Sequence, residues 1–362
     1  MELVNATRLA AAYTLGVDPS GREYLVVVVK GTFDVPSTPD DSPSLSAEQV
    51  PVFLADELGG ESEMLPICEG DLCLRKPRCD VIVTGSAYAP GGRPCSRVQV
   101  GVRVGGWTKS FYVTGDRHWS SLGLTTRPSA TEPFDVSPIT YERAFGGVDI
   151  DPRDAARSAT YRRNPVGRGY RPGSVVDGTP MPNTEELDKP VSSPIGDYQP
   201  MSLGPVGRNW FPRYTFAGTY DDDWKDHDFP FLPKDFDDRY HQAAPEDQQI
   251  PYPTGGEVVV LLNLSTEGRL AFCLPRAQAC ITVAPRRRDR EEIPTVIDTV
   301  VIEPTERRFT LCWRASLPLR HSIFEIDEVV VGNVGPKFLR ERDGLPLPFP
   351  AWADRQRPGE SR

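Results

Sequence analysis

The sequence predicts a mainly β protein, two antiparallel sheets in a sandwich-like arrangement with a long, ordered central region rich in proline, glycine and aromatic residues. Three observations carry that prediction. The 362 residues include 37 prolines and 31 glycines. Proline at about twice its usual share of roughly 5% excludes long helices, because each ring removes a helical hydrogen bond. The longest aliphatic runs, residues 25–29 and 258–262, have the length of strands. Within 97–104, valines at 98, 100, 102 and 104 alternate with Arg97, Gln99, Gly101 and Arg103, the period of a half-buried strand.

Residues 23–35 read as a first strand, bounded by Pro19-Ser20-Gly21 and Pro36-Ser37. Residues 80–88, 97–104 and 108–114 follow at short spacing and predict an antiparallel meander. From 117 to 255 the periodicity disappears. That stretch nevertheless carries Phe134, Phe145, Tyr170, Tyr198, Trp210 and Trp224 among other large apolar anchors, so it reads as ordered loops pinned onto a scaffold. Strand character returns at 257–264, 270–274, 279–283, 295–302, 309–313 and 324–331, with 263–268 as a hairpin connection. The chain thus divides into an N-terminal β-rich part (1–117), a loop-rich central region (118–255), a C-terminal β-rich part (256–335) and an extended proline-rich tail (336–362). These parts are compatible with one composite domain.

Lys and Arg number 41 against 51 Asp and Glu, a net charge of −10, which disfavours nucleic acid as a partner. No apolar run reaches the roughly 20 residues of a membrane helix. The opening MELVNATRLAAAYTLGVD lacks a basic n-region and an uninterrupted apolar stretch, so no secretory signal and a cytoplasmic location are expected. Seven cysteines without a C-x-x-C pair point to buried, reduced thiols rather than a zinc site.

Motifs for chemistry are missing: there is no G-x-S-x-G, H-E-x-x-H, G-x-x-x-x-G-K-[ST] or G-x-G-x-x-G. Of four histidines, His118 in GDRHW is expected to be a packed, hydrogen-bonded residue at a strand end rather than a general base. The acidic groups around 149–154 and 221–228 lack the ligand order of an EF-hand, so neither a metal nor a cofactor is expected. A hydrolase or carbohydrate-active enzyme would have to draw its acid and base from Asp221, Asp223, Asp235, Asp237 and Glu246. The informative features are instead loop phrases that join a conformational constraint to a directional polar group. Arg143 precedes Gly146-Gly147, and Arg168 sits between two glycines after Asn164-Pro165.

Taken in order, VVVVKGTFDV (26–35), AEQVPVFLAD (47–56), RCDVIVTGSAYAP (78–90), TGDRHW (114–119), YERAFGG (141–147), RNPVGRGY (163–170), PNTE (182–185), AGTYDDDW (217–224), LPKDFDDRY (232–240) and APEDQQ (244–249) resemble the bacterial domain of unknown function 2169 from about residue 3 to about residue 275. One departure is Met181, where that family commonly has leucine. The resemblance implies a cytoplasmic adaptor or chaperone that binds a type VI secretion effector toxin and helps load it onto the VgrG spike, with no catalytic residues to carry over. Arg143, Arg168, Trp210, Arg213, Tyr220 and Trp224 are the candidate partner-binding residues, since Trp, Tyr and Arg make effective anchors on stiff loops.

Overall fold

The computed structural model describes residues 1–38, 41–122, 125–173, 176–286 and 289–335; the tail expected over 336–362 lies outside the described residues. The fold is mainly β, with several antiparallel sheets. The largest sheet runs in the order Gln249–Ile250, Cys79–Val83, Val296–Glu303, Arg308–Pro318, Glu23–Asp34, Ala10–Val17, with Ser44–Leu45 added beside Glu23–Asp34. A five-stranded sheet runs Thr184–Glu185, Trp107–Thr114, Arg97–Val104, Val258–Leu262, Arg269–Cys273, and a four-stranded one Glu2–Asn5, Ile326–Val331, Ile281–Pro285, Glu291–Ile293. Each of the three combines strands from the first and last thirds of the chain.

Side-chain alternation explains the layering. Leu25, Val27 and Val29 enter the main core, whereas Val26 and Val28 pack on the opposite face with Leu74 and Cys312. A strand covered on both faces needs an unbroken apolar run, which is what residues 25–29 supply. Val98, Val100, Val102 and Val104 enter the same main core from the five-stranded sheet, while Arg97, Gln99 and Arg103 stay exposed, as the period-2 pattern predicts. Phe272, on the edge strand of the five-stranded sheet, stacks on Phe309 of the largest sheet with ring centroids 4.8 Å apart, joining the two sheets. The hairpin across 263–268 forms as expected, with Leu262 opposite Arg269.

The expected meander is only half present. Arg97–Val104 and Trp107–Thr114 form a hairpin, but Cys79–Val83 joins the largest sheet, parallel to Val296–Glu303. The reason is burial on both faces. Val81 and Val83 enter the main core, while Ile82 packs against Ala243 and Ala244 and Asp80 is fully buried on that same outer face. An interior position satisfies all of them, and an edge place in a hairpin would not.

That outer face carries a buried ionic lattice that clamps loops to the sheet. Lys76 Nζ lies 2.8 Å from Asp80 Oδ2, whose carboxylate also accepts from Gln242 Nε2 at 2.6 Å and Ala243 N at 2.8 Å. Arg314 pairs with Asp298 and donates to the carbonyls of Asp71 (2.7 Å) and Cys73 (2.9 Å). Lys30 reaches Asp71 at 2.8 Å and lies over the Phe53 ring. All seven cysteines are free; Cys73, Cys79 and Cys312 are buried and the other four half-buried, so only part of the expected burial is realised.

His241 sits against this lattice. Burial, followed by the nearby cations Arg208, Arg314, Lys76 and Arg213, lowers its pKa to about 3. Phe236 and Tyr240 pack on the ring, and Nδ1 is buried without a hydrogen-bond partner among the described residues. The folded-state value lies below the ordinary 6.5, so the unfolded chain takes up this proton first and stability falls as pH drops from about 6.5 toward 3, by at most about 1.4 kcal/mol per pH unit. Guanidinium titrations between pH 7 and pH 4 check this: His241→Gln should lose stability with falling pH less steeply than wild type. Parallel slopes would show that His241 does not titrate on unfolding.

Candidate functional site

The central loops are ordered by their own aromatic cluster. Trp119, Phe145, Met181, Val191 and Tyr198 are buried together, with Phe145 edge-on to Tyr161 at 5.0 Å and to Tyr198 at 4.8 Å. Met181 therefore fills the place of a leucine as a packed side chain. Asn164 is fully buried, and its Nδ2 donates to the carbonyls of Tyr141 (2.7 Å) and Phe145 (3.1 Å), tying RNPVGRGY to YERAFGG. Gly147 has φ +109°, and a Cβ there would collide with the Gly167 carbonyl, so glycine is required where these loops cross.

Polar groups from four phrases converge beside that crossing. Asp116 Oδ1 accepts from Arg143 Nη2 at 2.9 Å and from Asn183 Nδ2 at 2.8 Å, while Asn183 Oδ1 accepts from Arg143 Nε at 3.2 Å and from Arg168 Nη2. Burial and the adjacent Arg143 lower the Arg168 pKa, and hydrogen bonding from Asn183, with burial opposing and Arg143 assisting, holds Asp116 below its ordinary value. Arg143 and Arg168 are thus brought together, half-buried, as parts of one loop-locking cluster. His118 is exposed and its backbone N–H donates to Ser129 Oγ at 3.0 Å; the packed residue of that phrase is its neighbour Trp119.

The other four candidates separate into two kinds. Trp210 is 1% exposed, edge-on to Tyr141 at 5.2 Å, and Arg213 is 4% exposed, donating to the carbonyls of Val206 (2.7 Å) and Tyr240 (2.9 Å) and pairing with Glu69. Both belong to the interior, where a buried arginine that meets two loop carbonyls and a carboxylate fixes irregular backbone. Tyr220 is 54% exposed and Trp224 half-buried, with ring centroids 4.7 Å apart. Asp221 caps the short helix Asp222–His227 by accepting from Trp224 N at 2.9 Å, and Trp224 Nε1 donates to the Phe231 carbonyl at 2.9 Å. Phe229 packs on Trp224 and is 66% exposed; Phe231 is also exposed. The sequence counts these two phenylalanines among the aromatic anchors that pin the central loops and not among the partner-binding candidates, although an aromatic pair flanking Pro230 is a usable signal for an exposed turn.

The carboxylates of the central loops hold turns. Asp235 accepts from Thr219 N at 2.9 Å and from its hydroxyl at 2.7 Å, Asp237 pairs with Arg239 at 2.6 Å, and Asp223 lies 3.1 Å from His227. Backbone bonding from Thr219 lowers the Asp235 pKa and bonding from Arg239 lowers that of Asp237, opposite to what a general acid needs. Glu246 is exposed. Among the described residues no group of three or more His, Cys, Asp or Glu is placed to hold a metal ion, and no helix is long and apolar enough to cross a membrane.

A cleft opens between the loops around 200–212 and 245–247. Its main cavity, about 530 Å³, is lined by Lys109, Tyr141, Arg163, Met201, Phe211 and Asp247. An adjoining cavity of about 340 Å³ shares Val206, Pro212, Pro245 and Glu246 with it and adds Arg78 and Phe216. Lys109 is buried and its Nζ donates to Asp247 Oδ1 at 3.0 Å and Gln248 Oε1 at 2.8 Å; burial lowers its pKa and Asp247 partly restores it. Burial, then the Asp247 charge, raises the Tyr141 pKa. YERAFGG and APEDQQ, distant in sequence, meet at this cleft.

A family profile described as uncharacterized protein conserved in bacteria, the domain of unknown function 2169, matches residues 20–314. No curated protein and no solved structure matches the chain. The match runs on beyond residue 275, where the phrase resemblance stops, through Val296–Glu303 and most of Arg308–Pro318, strands that the largest sheet cannot do without. With its central loops, its interior strands and most of its length inside that match, the chain belongs to the domain of unknown function 2169 family of bacterial proteins.

Proposed function

We propose that this chain is a cytoplasmic adaptor that binds a type VI secretion effector toxin and helps load it onto the VgrG spike. The observation that carries the reading is the rigid aromatic ridge of Tyr220, Phe229 and Phe231 around Trp224, exposed on a capped and hydrogen-bonded loop. Large aromatic groups already fixed in position lose little conformational entropy on docking, so they favour protein contacts. The family resemblance supplies the identity of the partners, and the cap and turn roles of Asp221, Asp235 and Asp237 give the hydrolase alternative no support from those three carboxylates.

The test is a tagged pull-down from the native cell with mass spectrometry, comparing wild type with a Tyr220→Ser, Phe229→Ser double variant. Co-recovery of a toxin and a spike protein with wild type, reduced at least tenfold in the variant at unchanged melting temperature, is the expected result. Recovery of neither partner with abundant folded protein overturns the reading. Undiminished spike recovery from cells lacking the toxin would instead indicate a constitutive spike accessory.

A further inference from the structure

We infer that the free edge of the largest sheet, Ala10–Val17, pairs with the same strand of a second copy of this chain across a two-fold axis at Thr14, joining two sheets into one. Glu23–Asp34 is the only strand partner of Ala10–Val17 among the described residues. The direction of its backbone groups follows from the turn beyond it. Asp18 N donates to the Arg22 carbonyl at 3.1 Å, which makes those two a bonded pair, and the Glu23 carbonyl accepts from Leu319 N on the far side. Bonded and non-bonded pairs alternate along an antiparallel ladder. Gly16, Thr14 and Ala12 therefore bond inward to Tyr24, Val26 and Val28, while Val17, Leu15, Tyr13 and Ala11 turn their N–H and C=O groups outward. Among the described residues those outward groups make one hydrogen bond, a long one of 3.4 Å from the Thr14 hydroxyl to the Leu15 carbonyl.

Sheet edges are normally blunted by charge, proline, a bulge or brevity. Elsewhere in this fold that holds: Gln249–Ile250 and Thr184–Glu185 have two residues each, and Glu291–Ile293 carries two glutamates. Ala10–Val17 has eight residues, AAAYTLGV, with no charge, no proline and no shift of register against its neighbour.

Side chains and symmetry identify the occupant. Facing residues of an antiparallel ladder lie on one side of the sheet, and outward groups must meet outward groups. An axis at Thr14 meets both conditions along the whole strand, setting Tyr13 opposite Leu15 and Ala11 opposite Val17 of the other copy. Tyr13 and Leu15 are 40% and 46% exposed, although their cross-strand neighbours Val27 and Leu25 are fully buried in the main core. The pairing covers these two large apolar side chains with each other. On the opposite side of the sheet Thr14 meets itself and Ala12 meets Gly16, small residues that permit close approach. Arg8 precedes the strand and Asp18 follows it, so antiparallel stacking brings unlike charges together at both ends. A second copy supplies this complement by construction, and the two-fold closes the assembly at a dimer.

Light scattering on the purified full-length protein should give twice the mass of one chain at micromolar concentration. Leu15→Lys, which sets a cation on the exposed edge, should give the mass of one chain with the circular-dichroism spectrum of wild type. Under mild oxidation Thr14→Cys should form covalent dimer about tenfold more than wild type or Tyr13→Cys, because it faces itself in a non-bonded pair whose close Cα approach suits a disulfide. A wild type of single-chain mass, a dimer that survives Leu15→Lys, or equal crosslinking from positions 13 and 14 overturns the proposal. Slow exchange of the Tyr13 and Leu15 amides in a monomer also overturns it and identifies another segment of the same chain as the cover. Should Leu15→Lys fail to fold, the crosslinking comparison decides. None of these outcomes depends on recovery of a toxin or spike protein, so the dimer and the adaptor reading fail separately.

Discussion

Asp80→Ala is expected to destabilise the protein by about 3–5 kcal/mol, the scale for removing one partner of a buried ion pair. Asp80 is fully buried and meets three donors, Lys76 Nζ, Gln242 Nε2 and Ala243 N. Its loss leaves the Lys76 ammonium, itself buried, with Thr299 Oγ1 at 3.0 Å as its remaining side-chain acceptor. The loops that carry Lys76 and Gln242 then lose their common anchor on the sheet. Asp80→Asn keeps an acceptor while removing the charge, so it should fall between alanine and wild type. Guanidinium unfolding measures all three, and an alanine variant within 1 kcal/mol of wild type would show that the lattice contributes little.

Trp210→Ala is expected to cost about 3–5 kcal/mol, the range for deleting a large aromatic from a packed interior. The indole is 1% exposed and shares a buried cluster with Leu65, Tyr141 and Ala144. Its removal opens a void behind the Tyr141 ring, so the variant should unfold at lower denaturant and also lose the fixed wall of the cleft. A loss of partner binding in Trp210→Ala or Arg213→Ala would therefore report unfolding, whereas the same loss in variants at Tyr220 or Phe229 reports a contact. Equal stability of Trp210→Ala and wild type would contradict the packing assigned to it.

Much of the architecture is legible in local pattern. The alternation at 97–104, the two-faced run at 25–29 and the hairpin at 263–268 each become the element their period predicts, because side-chain direction in a strand is a local property. The ordering of the central region by aromatics was legible too, through residues such as Phe145 and Tyr198 that only a packed cluster could bury. The candidate site was less so. Composition made Trp210 and Arg213 resemble surface anchors, yet tryptophan and arginine suit an interior equally well when carbonyls and a carboxylate are at hand. Lys109 falls in phase with Phe111 and Val113 on the inward face of its strand, yet a lysine there gives no hint of its partners, because the acceptors that let it stay buried, Asp247 and Gln248, are nearly 140 residues away.

By itself the sequence determined the strand-forming segments, the β class, the absence of familiar catalytic motifs and, through ten ordered phrases, the family. Which strands become neighbours, which face of Cys79–Val83 carries a buried charge, and where YERAFGG meets APEDQQ were decided only in the tertiary structure. The physical reason is the range of the interactions. Periodicity and turn chemistry act over a few residues, whereas burial on both faces of a strand, pairing of desolvated charges and closure of a cleft are satisfied only when segments far apart in the chain come together.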